Sequence, residues 1–105
     1  MKLRLEGSTL RFRLSDAEVS QLAADRRLEQ SIDFGPASPR LVYRVEAAGE
    51  RMHAAFGPTG ITLAVPASDV ADWANGRSVS VEATQDWPGG SLELLLEKDL
   101  DRRPR

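Results

Sequence analysis

Cysteine is absent from this chain of 105 residues, which excludes disulfides, thiol nucleophiles, thiolate zinc sites and cysteine-ligated iron–sulfur clusters. Histidine occurs once, at His53. One histidine without cysteine does not make a structural zinc site, and no carboxylates cluster near it in sequence to complete a mixed one. No apolar run approaches the roughly 18 residues of a membrane span. Lys2 and Arg4 alternate with leucines where a signal peptide would continue into an apolar stretch, so the expected location is the cytoplasm. A strong charge of one sign is missing too. Residues 1–51 carry 9 basic and 8 acidic groups and residues 52–105 carry 5 and 8, that is +1 against −3. Neither value calls for a nucleic-acid or membrane partner. Lysine occurs twice against twelve arginines, and isoleucine and asparagine are scarce while alanine is abundant. That is the bias of a GC-rich genome, and it weakens arginine richness as a sign of phosphate binding.

What is present is a strand pattern. Leu3 and Leu5 alternate with Lys2, Arg4 and Glu6; after Gly7-Ser8 the alternation resumes as Leu10, Phe12 and Leu14 against Arg11 and Arg13. Period two around a Gly-Ser pair predicts a type II′ hairpin. Ser15-Asp16-Ala17-Glu18 has capping-box spacing, and Val19, Leu22 and Ala23 give the short helix that follows one apolar face. Leu28, Ile32 and Phe34 predict a third strand whose odd inward residue is Gln30; Leu41, Tyr43 and Val45 predict a fourth. The series then starts again. Met52, Ala54 and Phe56 lead to the turn Gly57-Pro58-Thr59-Gly60, and Ile61, Leu63 and Val65 return. Pro66 opens a helix bearing Val70, Trp73 and Ala74, which Asn75-Gly76 is expected to end through a left-handed cap. Val79, Val81 and Ala83 form a seventh strand, Asp86 to Gly90 a loop, and Leu92, Leu94 and Leu96 an eighth.

The two series align without a gap at an offset of 51, which takes Met1 to Met52, Val19 to Val70 and Leu41 to Leu92. The expected architecture is α+β: a single domain, 1–105, of two ββαββ units (1–48 and 52–99) in pseudo-twofold arrangement. Eight strands with one apolar face and two short helices must share one core. A mainly antiparallel, curved or barrel-like eight-stranded sheet with both helices against it satisfies that. The tail 101–105 has no apolar anchor and is expected to fray.

The run from Lys2 to Leu14, followed by Ser15 to Val19 and closed by Leu94-Leu95-Leu96-Glu97-Lys98-Asp99, resembles a family of small uncharacterised bacterial proteins of about this length. In that family the Glu-Lys-Asp element runs into an aromatic residue and a cysteine, whereas here it runs into Leu100-Asp101, so any role of that cysteine is lacking. The resemblance implies a fold and a length, and no mechanism.

Few residues stand out chemically. His53 falls on a polar strand face and reads as a surface residue. The dispersed carboxylates read as solvated strand faces, and the glycine loops lack the strand-to-helix setting of a phosphate cradle. Trp73 belongs to the core stripe. Trp87, placed in a loop, either caps the open end of the sheet or offers an aromatic to a partner. Val42 and Leu95 point away from the core and could touch another subunit. One constellation remains. A two-residue Gly7-Ser8 loop sets Lys2 opposite Arg13 and Arg4 opposite Arg11, so four cations share one hairpin face in two like-charge pairs, a destabilising arrangement. The matching positions of the second series are His53, Ala55, Thr62 and Ala64. The expectation is a small non-catalytic binding or interaction protein without a cofactor, whose Lys2, Arg4, Arg11 and Arg13 hold a carboxylate or phosphate of an anionic ligand or protein partner. The bland account is that acids on neighbouring strands neutralise the cluster. The alternative function is a phosphate-handling enzyme, which needs these charges to line a closed barrel.

Overall fold

The computed structural model describes residues 1–99, and the expected fraying of 101–105 lies outside them. Eight strands and two helices follow the order expected from periodicity: β1 (Lys2–Glu6), β2 (Thr9–Leu14), α1 (Asp16–Asp25), β3 (Arg27–Ile32), β4 (Leu41–Ala47), β5 (His53–Gly57), β6 (Gly60–Val65), α2 (Ala67–Asn75), β7 (Ser80–Trp87) and β8 (Gly90–Lys98).

They do not form one eight-stranded sheet. Two four-stranded mixed sheets form instead, in the orders β1-β2-β8-β7 and β3-β4-β6-β5, and these sheets do not close into a barrel. The reason is the pair of central parallel ladders, β2 with β8 and β4 with β6. Each joins two antiparallel hairpins and leaves β1, β7, β3 and β5 as edges. Parallel neighbours need long crossovers. Here the helices supply part of them, since α1 carries the chain from β2 in the first sheet to β3 in the second, and α2 carries it back from β6 to β7.

Local chemistry explains the elements. Gly7 has φ +57° while Ser8 stays out of the left-handed region, which fits a type II′ turn and sets the register of the first hairpin. Ser15 caps α1 as its spacing predicts: its hydroxyl accepts from the Glu18 amide, and the Glu18 carboxylate accepts from the Ser15 amide. The carboxylate also pairs with the Met1 amine. Gly60 is required by a close approach, because a Cβ there would lie 1.8 Å from the Val42 carbonyl oxygen across the β4–β6 ladder. The end of α2 corrects an expectation. Gly76 is extended, not left-handed, and its lack of a side chain matters because a Cβ would lie 2.7 Å from the Asp72 carbonyl oxygen. The left-handed cap belongs to α1, at Arg26.

The core lies between the sheets at the end covered by the helices. Phe12, Leu14, Leu22, Val45, Leu63, Val65, Val70, Trp73, Leu94 and Leu96 are fully or nearly fully enclosed, and every buried side chain among the described residues is apolar. Trp73 keeps its one polar atom satisfied, its Nε1 donating to the Val79 carbonyl at 2.9 Å. At the far end the expectation of burial fails. Phe56 is 81% exposed, Leu5 61% and Ile32 46%, although they occupy inward-facing strand positions; Phe34, expected in the third strand, lies beyond the end of β3 and is 61% exposed, and Trp87 at the end of β7 is 50% exposed. The helices roof only one end of the space between the sheets, so side chains near the hairpin tips have nothing above them. At the helix-covered end Val79, expected in the seventh strand, precedes β7 and is 43% exposed. Gln30, expected inside, is exposed, and its Oε1 accepts from the Tyr43 hydroxyl at 3.2 Å.

Candidate functional site

The cationic face forms in the expected register, with Lys2 opposite Arg13 and Arg4 opposite Arg11. It lies on the outer side of the first sheet and not in an enclosed interior. The four side chains border a shallow depression of about 280 Å³ together with Leu3. The strand that decides its charge is β8, which lies parallel to β2 and sets Glu97 beside Arg13. Glu97 Oε1 stands 3.3 Å from Arg13 Nη2 and 3.5 Å from Arg11 Nε. Lys2 Nζ is 3.4 Å from Asp99 Oδ2, and Arg4 Nε is 3.6 Å from Glu6 Oε1. Each cation therefore has a carboxylate within ion-pair range. Arg11 Nε is buried and makes no hydrogen bond, so the longer ionic contact with Glu97 is what compensates it.

On the second sheet's outer face the corresponding charges are likewise arranged across strands. Arg44 Nε donates to Glu29 Oε1 at 3.0 Å and Arg44 Nη1 donates to Thr62 Oγ1 at 3.1 Å, so one guanidinium ties β3, β4 and β6 together. The hydrogen bonds from Arg27 and Arg44 hold the Glu29 carboxyl below the usual carboxylate range, and Glu29 in turn raises Arg27. His53 is exposed, its Nδ1 3.3 Å from the Arg51 carbonyl.

The other candidate is the open end. Leu5, Leu10, Ala54, Ala55, Phe56, Ile61, Gln85, Trp87 and Leu92 enclose a hollow of about 450 Å³ whose walls come from both sheets. A second hollow of about 520 Å³ is lined by Pro39, Arg40, Leu41, Phe56, Gly57, Pro58 and Gly60, so Phe56 stands on the boundary of both. Trp87 closes β7 and is not in a loop as expected; the strand extends to it because it pairs with Gly90 across a two-residue turn. Its indole is packed on Gly90, where a Cβ would lie 2.8 Å from Nε1. Gln85 fixes the seam between the sheets. Its Oε1 accepts from the Ala54 amide at 2.7 Å and its Nε2 donates to the Ala54 carbonyl at 2.9 Å, as a backbone neighbour would.

A family model described as a family of unknown function, DUF7009, matches residues 1–102. The chain belongs to this family. That agrees with the resemblance read from its first hairpin and last strand. No curated protein and no solved structure matches the chain. Both the cationic face and the open end lie inside the DUF7009 match.

Of the residues singled out from sequence, Lys2, Arg4, Arg11 and Arg13 come together as expected, while Trp87 stands apart from them at the open end. Leu5, Phe34, Phe56 and Gln85 were not singled out. The signal that could have found Phe56 is its place directly before Gly57-Pro58, at the tip of a hairpin where an inward side chain has no layer above it. For Gln85 the signal is a polar residue at an inward position of an otherwise apolar alternation.

Proposed function

We propose that this protein is a non-catalytic interaction protein that works through the apolar open end of its two sheets. The observation carrying this is that Leu5, Phe56 and Trp87, three of the six large apolar side chains left in solvent, line one hollow walled by both sheets at the uncovered tips. Scattered surface leucines are ordinary, but a contiguous patch is not. A polarity-sensitive naphthalene sulfonate dye tests it at low protein concentration. Uptake by the native protein should be saturable and should fall sharply in Phe56→Asp, at unchanged melting temperature because Phe56 is solvent-facing. Equal uptake by both proteins, or none by the native one, overturns the reading.

A second reading keeps the anion site at Lys2, Arg4, Arg11 and Arg13, favoured by a depression bordered by four cations against three carboxylates. Phosphate should then raise the melting temperature in a manner weakened by salt and abolished in Arg4→Ala/Arg11→Ala. Glu97, Asp99 and Glu6 speak for the alternative, in which the double variant loses stability with no change in its phosphate response.

The repeat enters here as well. We read residues 1–48 and 52–99 as equivalent ββαββ units of one domain, each contributing one hairpin to each sheet. Adding 51 converts the pair Lys2–Arg13 into His53–Ala64, and the same offset relates Thr9–Glu93 to Gly60–Val42; all four pairs occur. The gap-free correspondence breaks at one strand. Leu28 pairs with Val45, which would translate to Val79 with Leu96, yet Leu96 pairs with Val81. A slip of two residues keeps every side chain on its own face. Superposition of the units with β7 shifted by two residues tests this reading, which fails if the helices do not coincide.

A further inference from the structure

The open end has a shape that suits its own copy. Phe56, 81% exposed, stands on the boundary of a hollow of about 450 Å³ with Leu5 and Trp87 on its walls. An apolar side chain beside an apolar hollow is self-complementary under a twofold axis, because each copy can place its phenyl ring in the other's hollow. Closed twofold association is the commonest form of homo-oligomer, and its interface uses the same patch twice.

Area and charge agree. Ile32 is paired with Leu41, and Leu41 shares the second hollow with Phe56, so the patch runs on from Trp87 through Phe56 to the end of β3. At about 200 Å² per large apolar side chain, the exposed fractions of Leu5, Ile32, Phe56 and Trp87 leave on the order of 500 Å² of apolar surface in water. That lies in the upper part of the range for the largest patch of a monomer and would supply more than half of the roughly 800 Å² per partner of a standard interface. Charges bordering the patch are already paired within the chain, Arg40 with Asp33 and Arg4 with Glu6, each at 3.6 Å. A twofold contact sets groups near its axis beside their own copies, where unpaired charges would repel; pairing within each chain lessens that cost.

We propose that the protein self-associates as a twofold dimer through this end, with Phe56 inserted into the partner's hollow beside Trp87. This rests on the reading of the open end as the working surface. Sedimentation velocity from low to high micromolar concentration should give a monomer–dimer equilibrium. Trp87 emission should shift to the red on dilution, and this component should be missing in Trp87→Phe. Phe56→Asp should weaken the dimer by about 30-fold or more, the effect of losing a central aromatic anchor. It should do so at unchanged melting temperature extrapolated to low concentration; if it unfolds, Leu5→Gln, also solvent-facing, replaces it. A native protein that stays monomeric throughout, or a dimer indifferent to these substitutions, overturns the proposal. The two failures can be told apart: a monomer whose Phe56 face still takes up the dye overturns self-association and leaves the binding surface standing, whereas a monomer that takes up none overturns both.

Discussion

At the scale of single residues, the largest energies lie in the core and the most informative ones on the cationic face. Trp73 fills the space under α2, donates its indole hydrogen to Val79 and lies beneath Lys98, whose Nζ is 5.8 Å from the ring centroid and 3.0 Å from the Gly76 carbonyl oxygen. Trp73→Ala should therefore lower unfolding stability by about 3–5 kcal/mol in urea titration, the cost of a large core truncation. Glu97 is the opposite case, a side chain whose worth lies in what it neutralises. Glu97→Gln removes the shared partner of Arg11 and Arg13 while these still face Arg4 and Lys2. The expected loss is about 1 kcal/mol, larger at low salt because screening relieves the repulsion between the half-buried Arg11 and Arg13 and the cations opposite them. The same variant should gain a thermal response to phosphate if the native carboxylate occupies the place an anion would take, and a differential melting series with and without phosphate reads both effects. Four cations on one hairpin were legible from a two-residue loop and alternation. Their neutralisation was not, since Glu97 reaches Arg13 only through pairing between β2 and β8, strands at opposite ends of the chain.

At the scale of elements, α1 shows how local chemistry sets a boundary and a pH dependence together. Burial by itself would raise the Glu18 carboxyl, but hydrogen bonds from the Met1 amine and from Ser15, with the amine's positive charge, outweigh it and hold the group below the ordinary carboxylate range. A carboxyl lowered in the folded state contributes stability that is present above its unfolded value and is lost as pH falls through the lowered folded value. Glu18→Gln should thus lower the melting temperature at neutral pH, by the equivalent of about 1 kcal/mol for a capping residue, with the difference closing in acid. A gap independent of pH would show that the carboxylate charge is not what matters. Gly60 makes the comparable case in a strand. Gly60→Ala must push β6 away from the Val42 carbonyl and should destabilise by more than the few tenths of a kcal/mol typical of a surface change, measured in the same titration.

At the scale of the whole molecule, two sheets that share a core at one end are held together at the β5–β7 seam by the Gln85 amide on the backbone of Ala54. Gln85→Leu should cost about 1–3 kcal/mol, because two backbone groups lose their partners, and should accelerate hydrogen exchange at the Ala54 amide before exchange elsewhere in β5. The sequence by itself determined the elements, their order, the face each strand turns inward and the register of the first hairpin, because alternation, turn chemistry and capping act between neighbours in the chain. It did not determine that the hairpins divide between two sheets, nor that β2 takes β8 and β4 takes β6 as parallel partners, since many inward-facing hairpins could satisfy the same pattern. Nor could it say which end stays open. Leu3, Leu5, Leu10 and Phe12 are alike in pattern, yet Phe12 is enclosed and Leu5 lies in solvent. Alternation reports the face of a side chain and not its depth along the strand. Depth is decided by the helices, which cross between the sheets at one end and leave Phe56 and Trp87 uncovered at the other.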